Sequence, residues 1–231
     1  MAEKKLILGI DDAGRGPVTG PMVLAGVLTT EEDAQRFKEM GIRDSKLLFP
    51  DKREELARII KNLAIGFHAI KITPLEIDES LASGINLNTL EAIRAAMIIN
   101  LLLGARKEDV VIQIDCPSNN TSAWRKTLLS YVKEDIIKRI TVKCEHKADL
   151  NYPACSAASI IAKTTRDTEI EKIKEQIGED FGSGYPSDPT TIEFLKKNWN
   201  KYKDLHIFRE SWQTYKNVSN GSGSKKQKKL F

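Results

Sequence analysis

The sequence predicts an α/β domain, in which helices cover a β-sheet. Short segments rich in apolar and β-branched residues alternate along the chain with segments whose apolar residues recur at helical spacing. No internal repeat is present, and no apolar run approaches the roughly 18 residues that a membrane-spanning helix needs. The 231 residues are enough for one large domain or two small ones, with a substantial core.

The first half of the chain contains three predicted strands and four predicted helices. Residues 5–10 and 21–28 have the composition of strands, and the Gly-Arg-Gly-Pro-Val-Thr-Gly-Pro segment between them has that of a turn. The apolar residues of 30–40 and 51–63 have helical spacing, and Pro50 stands just before the second of these segments, where helices often begin. The further predicted elements are helices at 30–40 and 51–63, an alternating strand at 65–72, and helices at 74–81 and 88–103, the last ended by Gly104.

The second half of the chain contains two predicted strands, at 110–114 and 140–144, with a helix at 122–131 between them. A long helix at 154–177 begins with many small residues, which allow close packing, and a further helix follows at 190–200. From Ser219 the apolar content falls. We therefore expect one folded domain over 1–218, with a helical C-terminal part from about 168, and a flexible basic tail over 219–231.

The net charge of +4 arises at the C-terminus, because residues 219–231 carry four lysines and no acidic residue. The rest of the chain is formally neutral, so its bulk charge gives no argument for nucleic-acid binding. Cys116, Cys144 and Cys155 cannot all pair and lack the CxxC spacing of a zinc site, which indicates a reducing, intracellular setting. The N-terminal residues show no apolar signal-peptide core, so we expect a cytoplasmic protein that does not enter a membrane.

Two adjacent carboxylates, Asp11 and Asp12, stand at the end of the first predicted strand and precede the segment Gly14-Arg15-Gly16. Neighbouring carboxylates repel each other, and a bound divalent cation would reverse that penalty. Glycines let backbone N–H groups approach a ligand closely, and the arginine suits a phosphate. Metal and phosphate binding is one interpretation of this segment. The other is that Asp11 caps a turn while Asp12 points to solvent.

Two further carboxylates have similar positions. Asp115 directly follows the strand at 110–114, and Asp149 lies just before the long helix, although a turn or loop could explain each of them. If all four acids converged, they could hold two Mg²⁺ or Mn²⁺ ions about 3.5–4 Å apart. Spacing alone does not show that convergence. On the long helix, Lys163 and Arg166 share a face, which either meets a phosphate backbone or is simply solvated.

Taken together, these segments closely resemble ribonuclease HII, the type 2 ribonuclease H family, and most of all its archaeal and eukaryotic branch. The matching motifs occur in family order and cover nearly all of the chain before the tail. They are Gly-Ile-Asp-Asp-Ala-Gly-Arg-Gly-Pro (9–17), Asp-Ser-Lys-Leu (44–47), Asp115, Lys-Ala-Asp (147–149), Ser-Ala-Ala-Ser-Ile-Ile-Ala-Lys-Thr-Thr-Arg-Asp (156–167), Gly-Ser-Gly-Tyr-Pro-Ser-Asp-Pro (182–189) and Arg-Glu-Ser-Trp-Gln-Thr (209–214).

The resemblance implies an RNase H-like fold, with a central mixed β-sheet flanked by helices and a helical C-terminal part. It implies an endonuclease that cuts the RNA strand of RNA–DNA hybrids and nicks DNA on the 5′ side of embedded ribonucleotides. The products carry 3′-hydroxyl and 5′-phosphate ends, and the implied roles are RNA primer removal and ribonucleotide excision repair. The implied metal ligands, for Mg²⁺ or Mn²⁺ and two ions during catalysis, are Asp11, Asp12, Asp115 and Asp149.

The resemblance also assigns substrate contacts. Gly14, Arg15 and Gly16 would sense the ribose 2′-hydroxyl, largely through backbone groups, and the 2′-hydroxyl is the group that separates RNA from DNA. Tyr185 would pack on the sugar next to the RNA–DNA junction. Ser45 and Lys46 would contact phosphate, as would Lys163 and Arg166 if their helix face meets the backbone of the substrate.

One position departs from the family pattern. The family usually has Asp-Glu where this chain has Asp11-Asp12, and the aspartate is shorter by one methylene, about 1.5 Å of reach. Because both side chains offer hard carboxylate oxygens, we expect Asp12 to bind metal all the same.

The C-terminal residues Gln227, Leu230 and Phe231 resemble a shortened sliding-clamp-binding peptide. The alternative is a basic tail that adds nonspecific DNA affinity. The expected partners are therefore RNA–DNA hybrids, ribonucleotide-containing DNA and a sliding clamp, and we expect a monomer.

Two other functions would use the same features. One is a DNA nuclease or resolvase on the same metal-dependent fold, against which the Gly-Arg-Gly segment and Tyr185 argue. The other is a non-catalytic module that holds hybrids. Four carboxylates argue against it, because uncompensated acids would repel a phosphate backbone.

Overall fold

The computed structural model describes residues 5–42 and 48–221. The predicted phosphate contacts Ser45 and Lys46 and the predicted clamp-binding residues Gln227, Leu230 and Phe231 lie outside these residues. The described strands are β1 (Leu6–Ala13), β2 (Met22–Thr30), β3 (Gly66–Ile72), β4 (Val110–Asp115) and β5 (Ile140–Glu145). The described α-helices are α1 (Glu31–Glu39), α2 (Pro50–Leu63), α3 (Pro74–Ala82), α4 (Leu87–Leu103), α5 (Thr121–Leu129), α6 (Glu134–Ile137), α7 (Ala148–Asn151), α8 (Pro153–Ile177), α9 (Pro189–Asn198) and α10 (Gln213–Ser219).

The strands form one mixed sheet in the order β3-β2-β1-β4-β5. Strand β2 is antiparallel to both β1 and β3, whereas β4 is parallel to both β1 and β5. A short loop suffices for the antiparallel β1–β2 connection, whereas the parallel β1–β4 pair needs a long crossover, which contains helices. The helix-flanked mixed sheet confirms the predicted architecture. It also places the carboxyl ends of β1 and β4 side by side, since Ile10 pairs with Ile114.

Both faces of the sheet are covered, so its central strands are largely buried. Strand β2 is buried at every position. On one face the core includes α4 and α5, and on the other face it includes α1, α2 and the first half of α8. A third, largely aromatic cluster joins the end of α8 to α9 and α10. It also includes Val18 from the β1–β2 loop, and through this residue the helical C-terminal part is packed against the main domain.

The start of α8 lies directly against β1. The first nine residues after Pro153, Ala154–Ala162, are all buried. Gly9 of β1 has no side chain at the closest approach, where a Cβ would overlap the backbone of Ala154 and Cys155. The small residues at the start of the helix therefore allow it to pack tightly on the sheet, as the sequence indicates.

Most predicted elements agree with the structure to within two residues. The first strand, predicted at 5–10, is longer than expected, because β1 runs to Ala13 and so includes Asp11 and Asp12. The other differences concern short helices. No sequence pattern predicted α6, α10 or the 3₁₀ turn Lys203–Leu205. Asp149, for which a role in a loop was one of the interpretations, lies in the one-turn helix α7. Helices of one or two turns show too little periodicity to stand out, because packing rather than intrinsic propensity stabilises them. Within the described residues, no helix is both long and apolar enough to cross a membrane.

The contact between β1 and α8 predicts an unequal response to two glycine substitutions. Gly9→Ala forces the helix backbone away from the sheet, so we expect a loss of about 1–3 kcal/mol or more in the free energy of unfolding. Gly66→Ala is the matched control in β3, because its Cβ would stand 3.5 Å from Leu102, an ordinary contact. That variant should stay within about 0.5 kcal/mol of the parent. Urea denaturation measures both, and equal losses would contradict the close packing at Gly9.

Candidate active site

The residues that the sequence analysis predicts for catalysis converge on one cleft. Asp11 and Asp12 lie on β1 and Asp115 ends β4, so the parallel pairing brings these strand ends together. Asp149 reaches them from α7. The cleft, of about 240 Å³, is lined by Asp11, Asp12, Ala13, Gly14, Arg15, Gly16, Asp115, Asp149, Ser159, Lys163 and Tyr185. The topology thus provides the convergence that spacing alone could not show.

Asp11 and Asp149 are the most buried of the four carboxylates, and each is 5% exposed. One of its oxygens accepts a hydrogen bond from the Asp12 N–H at 2.8 Å. Burial, and next the negative charge of Asp12, raises the pKa of the Asp11 carboxyl well above its usual range, while a hydrogen bond with Ser159 opposes the rise. Asp11 belongs to the sheet and pairs with Ala25. The alternative interpretation, in which Asp11 caps a turn, is therefore wrong.

Asp115 and Asp149 are positioned by the short helix α7. Asp115 Oδ1 accepts a hydrogen bond from the Ala148 N–H at 3.0 Å. Lys147, just before that helix, has a φ of 57°, in the left-handed region that non-glycine residues rarely adopt. Behind it, Ser156 Oγ donates to the Asp149 carbonyl at 2.5 Å. This strained turn and these bonds fix α7 between the end of β4 and the start of α8.

The four carboxylates fit a hard divalent cation by their chemistry. They supply only oxygen donors, which Mg²⁺ and Mn²⁺ prefer, and the burial of Asp11 beside Asp12 concentrates negative charge that a cation would neutralise. Across residues 5–42 and 48–221, no group of three or more His, Cys, Asp or Glu side chains is already spaced to hold a metal ion.

The glycine-rich loop between β1 and β2 forms the rim of this cleft. Gly14 has a φ of 83°, and Arg166 packs where its side chain would be. Gly16 faces the ring of Tyr185, and a Cβ there would stand 3.6 Å from the ring. The N–H groups of Val18 and Thr19 both donate to the Gly184 carbonyl, at 2.8 and 3.3 Å. The loop and the segment that carries Tyr185 are therefore joined.

Arg15 does not extend freely into the cleft. Its Nε donates to Glu91 Oε1 at 2.9 Å, and its Nη2 donates to Asn88 on the same helix, α4. Glu91 is 1% exposed, and burial, followed by the negative charge of Asp12, raises its pKa to about 8. The sequence analysis missed Glu91, because a single acid in an apolar helix resembles a solvated position. The polar spacing of Asn88 and Glu91, three residues apart on one face, was the available signal.

Lys163 and Arg166 were both predicted as substrate contacts on one helix face, but their surroundings in the structure are different. Lys163 lines the cleft and forms a 2.6 Å ion pair with Asp167. Arg166 is 2% exposed and donates to the Ser183 carbonyl at 3.2 Å, with its guanidinium 5.4 Å from the centre of the Tyr185 ring. Arg166 is therefore neither solvated nor placed to contact a phosphate. It supports the loop that carries Tyr185.

The family model of ribonuclease HII matches residues 8–215 of the chain. The chain is 44% identical over 215 residues to ribonuclease HII of Methanococcus maripaludis strain C5. That alignment covers 93% of this chain and 87% of the relative. The chain is also 40% identical over 213 residues to ribonuclease HII of Pyrococcus horikoshii, with 92% of each chain covered.

Solved structures agree with the fold. Ribonuclease H2 of Pyrococcus horikoshii superposes with a TM-score of 0.81 at 37% identity, covering 94% of this chain and 98% of that one. Ribonuclease HII of Archaeoglobus fulgidus, solved in complex with PCNA, has a TM-score of 0.78 at 38% identity, covering 92% and 96%. Bst-RNase HIII in complex with Mn²⁺ shares the fold at 18% identity, with a TM-score of 0.77 and coverage of 95% and 71%. The expected RNase H-like fold is confirmed.

The carboxylate cluster predicts that a divalent cation stabilises the folded chain. At about one hundred times its Kd, a ligand adds about 2.7 kcal/mol, which corresponds to a rise of about 5–10 °C in Tm for a chain of this length. Differential scanning calorimetry with Mg²⁺ or Mn²⁺ against EDTA measures the rise. We expect Asp115→Asn and Asp149→Asn to lose most of it. Asp109→Asn, at the exposed opposite end of β4, should retain it, and a full rise in Asp115→Asn would place the ion elsewhere.

Proposed function

The chain belongs to the ribonuclease HII family, and from this premise we propose that it nicks duplex DNA on the 5′ side of embedded ribonucleotides, in addition to acting on hybrids. It is a ribonuclease H, an endonuclease that acts on RNA–DNA hybrids. The observation that carries the finer proposal is the contact between the glycine-rich loop and Tyr185 at the rim of the carboxylate cleft. RNA primer removal and ribonucleotide excision repair are the corresponding cellular roles.

The cleft supports a division of tasks between its residues. Asp11, Asp12, Asp115 and Asp149 would hold Mg²⁺ or Mn²⁺, two ions during catalysis, which supply an activated water and neutralise charge on the leaving 3′ oxygen. The departing strand would then carry a 3′-hydroxyl and the downstream strand a 5′-phosphate. Lys163, at the same cleft, would bind a phosphate of the cleaved strand.

Recognition of the ribonucleotide would fall to the loop and the tyrosine. Backbone groups of Gly14, Arg15 and Gly16 lie at the cleft without intervening side-chain bulk at the two glycines, so they can reach a 2′-hydroxyl. Tyr185 is about one-third exposed and would pack on the adjacent deoxyribose. We further propose that the enzyme acts as a monomer.

A duplex with one embedded ribonucleotide tests the proposed function. We expect nicking at the 5′ side of that ribonucleotide in Mg²⁺ or Mn²⁺, no nicking in EDTA, and loss of at least about 100-fold in rate for Asp11→Asn, because metal-held charge at the reacting phosphate is worth several kcal/mol. Denaturing gels with end-labelled strands locate the cut. Cleavage of the matching all-DNA duplex at an equal rate would indicate a DNA nuclease, and binding without cleavage would indicate a holding module.

We also propose that the C-terminal peptide binds a sliding clamp. Gln227, Leu230 and Phe231 resemble such a peptide, and the structurally similar Archaeoglobus fulgidus protein was solved in complex with PCNA. Clamp binding through an apolar anchor depends on the aliphatic and aromatic side chains, whereas nonspecific DNA binding through a basic tail depends on charge.

Two paired substitutions separate these contributions. Leu230→Ala with Phe231→Ala removes the apolar anchor, and we expect at least a tenfold loss of affinity for a purified cognate clamp, or about 1.4 kcal/mol. Lys228→Ala with Lys229→Ala is the matched control, which should retain clamp affinity and lose some affinity for DNA. Isothermal titration calorimetry measures the clamp affinity, and fluorescence anisotropy measures the DNA affinity. Unchanged clamp affinity in the Leu230/Phe231 variant would leave only the basic-tail interpretation.

A further inference from the structure

Arg209 is a fully buried cation in the segment that follows α9, and among residues 5–42 and 48–221 it is the largest side chain with less than 2% exposure. A buried charge is costly unless hydrogen bonds satisfy it. Arg209 finds its partners in the glycine-rich loop: Nη2 donates to the Gly14 carbonyl at 2.6 Å, Nη1 to the Arg15 carbonyl at 2.8 Å, and Nε and Nη2 to the Gly20 carbonyl at 3.2 and 3.1 Å. Every one of these acceptors is main chain.

These bonds fix the direction of the peptide groups that face the substrate. In a trans peptide the C=O and the following N–H point in opposite directions. The carbonyls of Gly14 and Arg15 point inward to Arg209, so the N–H groups of Arg15 and Gly16 point away from it. Arg15 and Gly16 line the cleft. The rigid guanidinium plane thus holds two consecutive N–H groups in one direction, as recognition of a small polar group requires.

Trp212 extends this arrangement by one residue. Its indole Nε1 donates to the Gly16 carbonyl at 3.3 Å, and its ring lies 5.0 Å from the Arg209 guanidinium. The backbone of the same segment is also bonded to the loop, with the Arg209 N–H donating to the Val18 carbonyl at 2.9 Å.

Asp78 on α3 anchors the segment from outside. Its carboxylate accepts hydrogen bonds from the N–H groups of Glu210 and Ser211 at 2.7 and 3.0 Å.

The pKa of Arg209 is lowered to about 9, by burial and then by the positive charge of Arg166. The guanidinium therefore keeps its proton, and all its donors, at neutral pH.

We propose that Arg209, assisted by Trp212, is a positioning residue that aligns the loop amides for the ribose 2′-hydroxyl. The C-terminal part of the chain would thereby set the discrimination between ribose and deoxyribose. This inference rests on the proposed function. A purely structural Arg209 would hold the C-terminal part to the sheet and would affect stability alone, so the two roles differ in what a substitution does to substrate preference.

Arg209→Lys tests the proposal, because lysine keeps the charge but concentrates its donors on one atom that cannot span three carbonyls. In Mg²⁺, the KM for a duplex with one ribonucleotide is compared with the Ki of the same all-DNA duplex as a competitive inhibitor. We expect Ki/KM to fall by at least about tenfold, the equivalent of one well-placed hydrogen bond. Trp212→Phe keeps a ring and loses only the indole donor, so it should lower Ki/KM by about two- to fivefold.

Two control variants make the same Arg→Lys and Trp→Phe substitutions at positions that do not contact the glycine-rich loop. Arg139→Lys alters a guanidinium that donates to the Leu103 and Glu108 carbonyls, and Trp199→Phe alters a tryptophan packed on Tyr215. Both should keep the parent Ki/KM. The rise in Tm that Mg²⁺ gives should persist in every variant, which shows that the fold and the carboxylates are intact.

The outcomes separate the inference from the function on which it rests. If the parent enzyme does not cut at the ribonucleotide, the proposed function fails before any variant is made. If the parent cuts and Arg209→Lys only lowers Tm while Ki/KM is unchanged, the positioning role is overturned. Should Arg209→Lys fail to fold, Trp212→Phe decides alone, and a parent-like Ki/KM in that variant contradicts the proposal.

Discussion

The contact between β1 and the start of α8 is the constraint on which the site depends. Gly9 removes the side chain that would hold the two elements apart, and the small residues at the start of α8 do the same from the helix. At this separation the turn before α8 brings Asp149 to the end of β4, and Ser159 on the first half of the helix reaches Asp11. A larger separation would leave four carboxylates on three elements without a common centre.

The same packing creates an electrostatic cost. Asp11 is buried beside Asp12, and Glu91 is buried near them both. Ionised acids in a low-dielectric setting repel one another and destabilise the metal-free fold, and the raised pKa values of Asp11 and Glu91 reflect that cost. The sheet and α8 hold the acids in place against this repulsion, so the stability of the core offsets the strain of the site, an arrangement common at functional sites.

The sequence was informative about strands, long helices and the identity of the acids, because those depend on local pattern. Apolar and β-branched composition or alternation predicted each of the five described strands, and Asp115 was recognisable at a strand end. Contacts between distant segments left no such pattern. The exposure of Arg166 was misjudged because its burial comes from the segment at 183–185. The bonds of Arg209 likewise join residues almost two hundred positions apart.

The environment of Arg15 explains why recognition by this loop would depend on the backbone. Asp12 and Glu91 are close enough that the charge of Asp12 raises the pKa of Glu91, and the Arg15 guanidinium opposes that rise while bonded to Glu91. An arginine committed to a buried carboxylate is not free to follow a substrate phosphate. The peptide groups on either side of Arg15, held from behind by Arg209, are what the loop has left to present. Because a peptide N–H is the same in every residue except proline, recognition by this loop would depend on the direction of its peptide groups more than on its side chains.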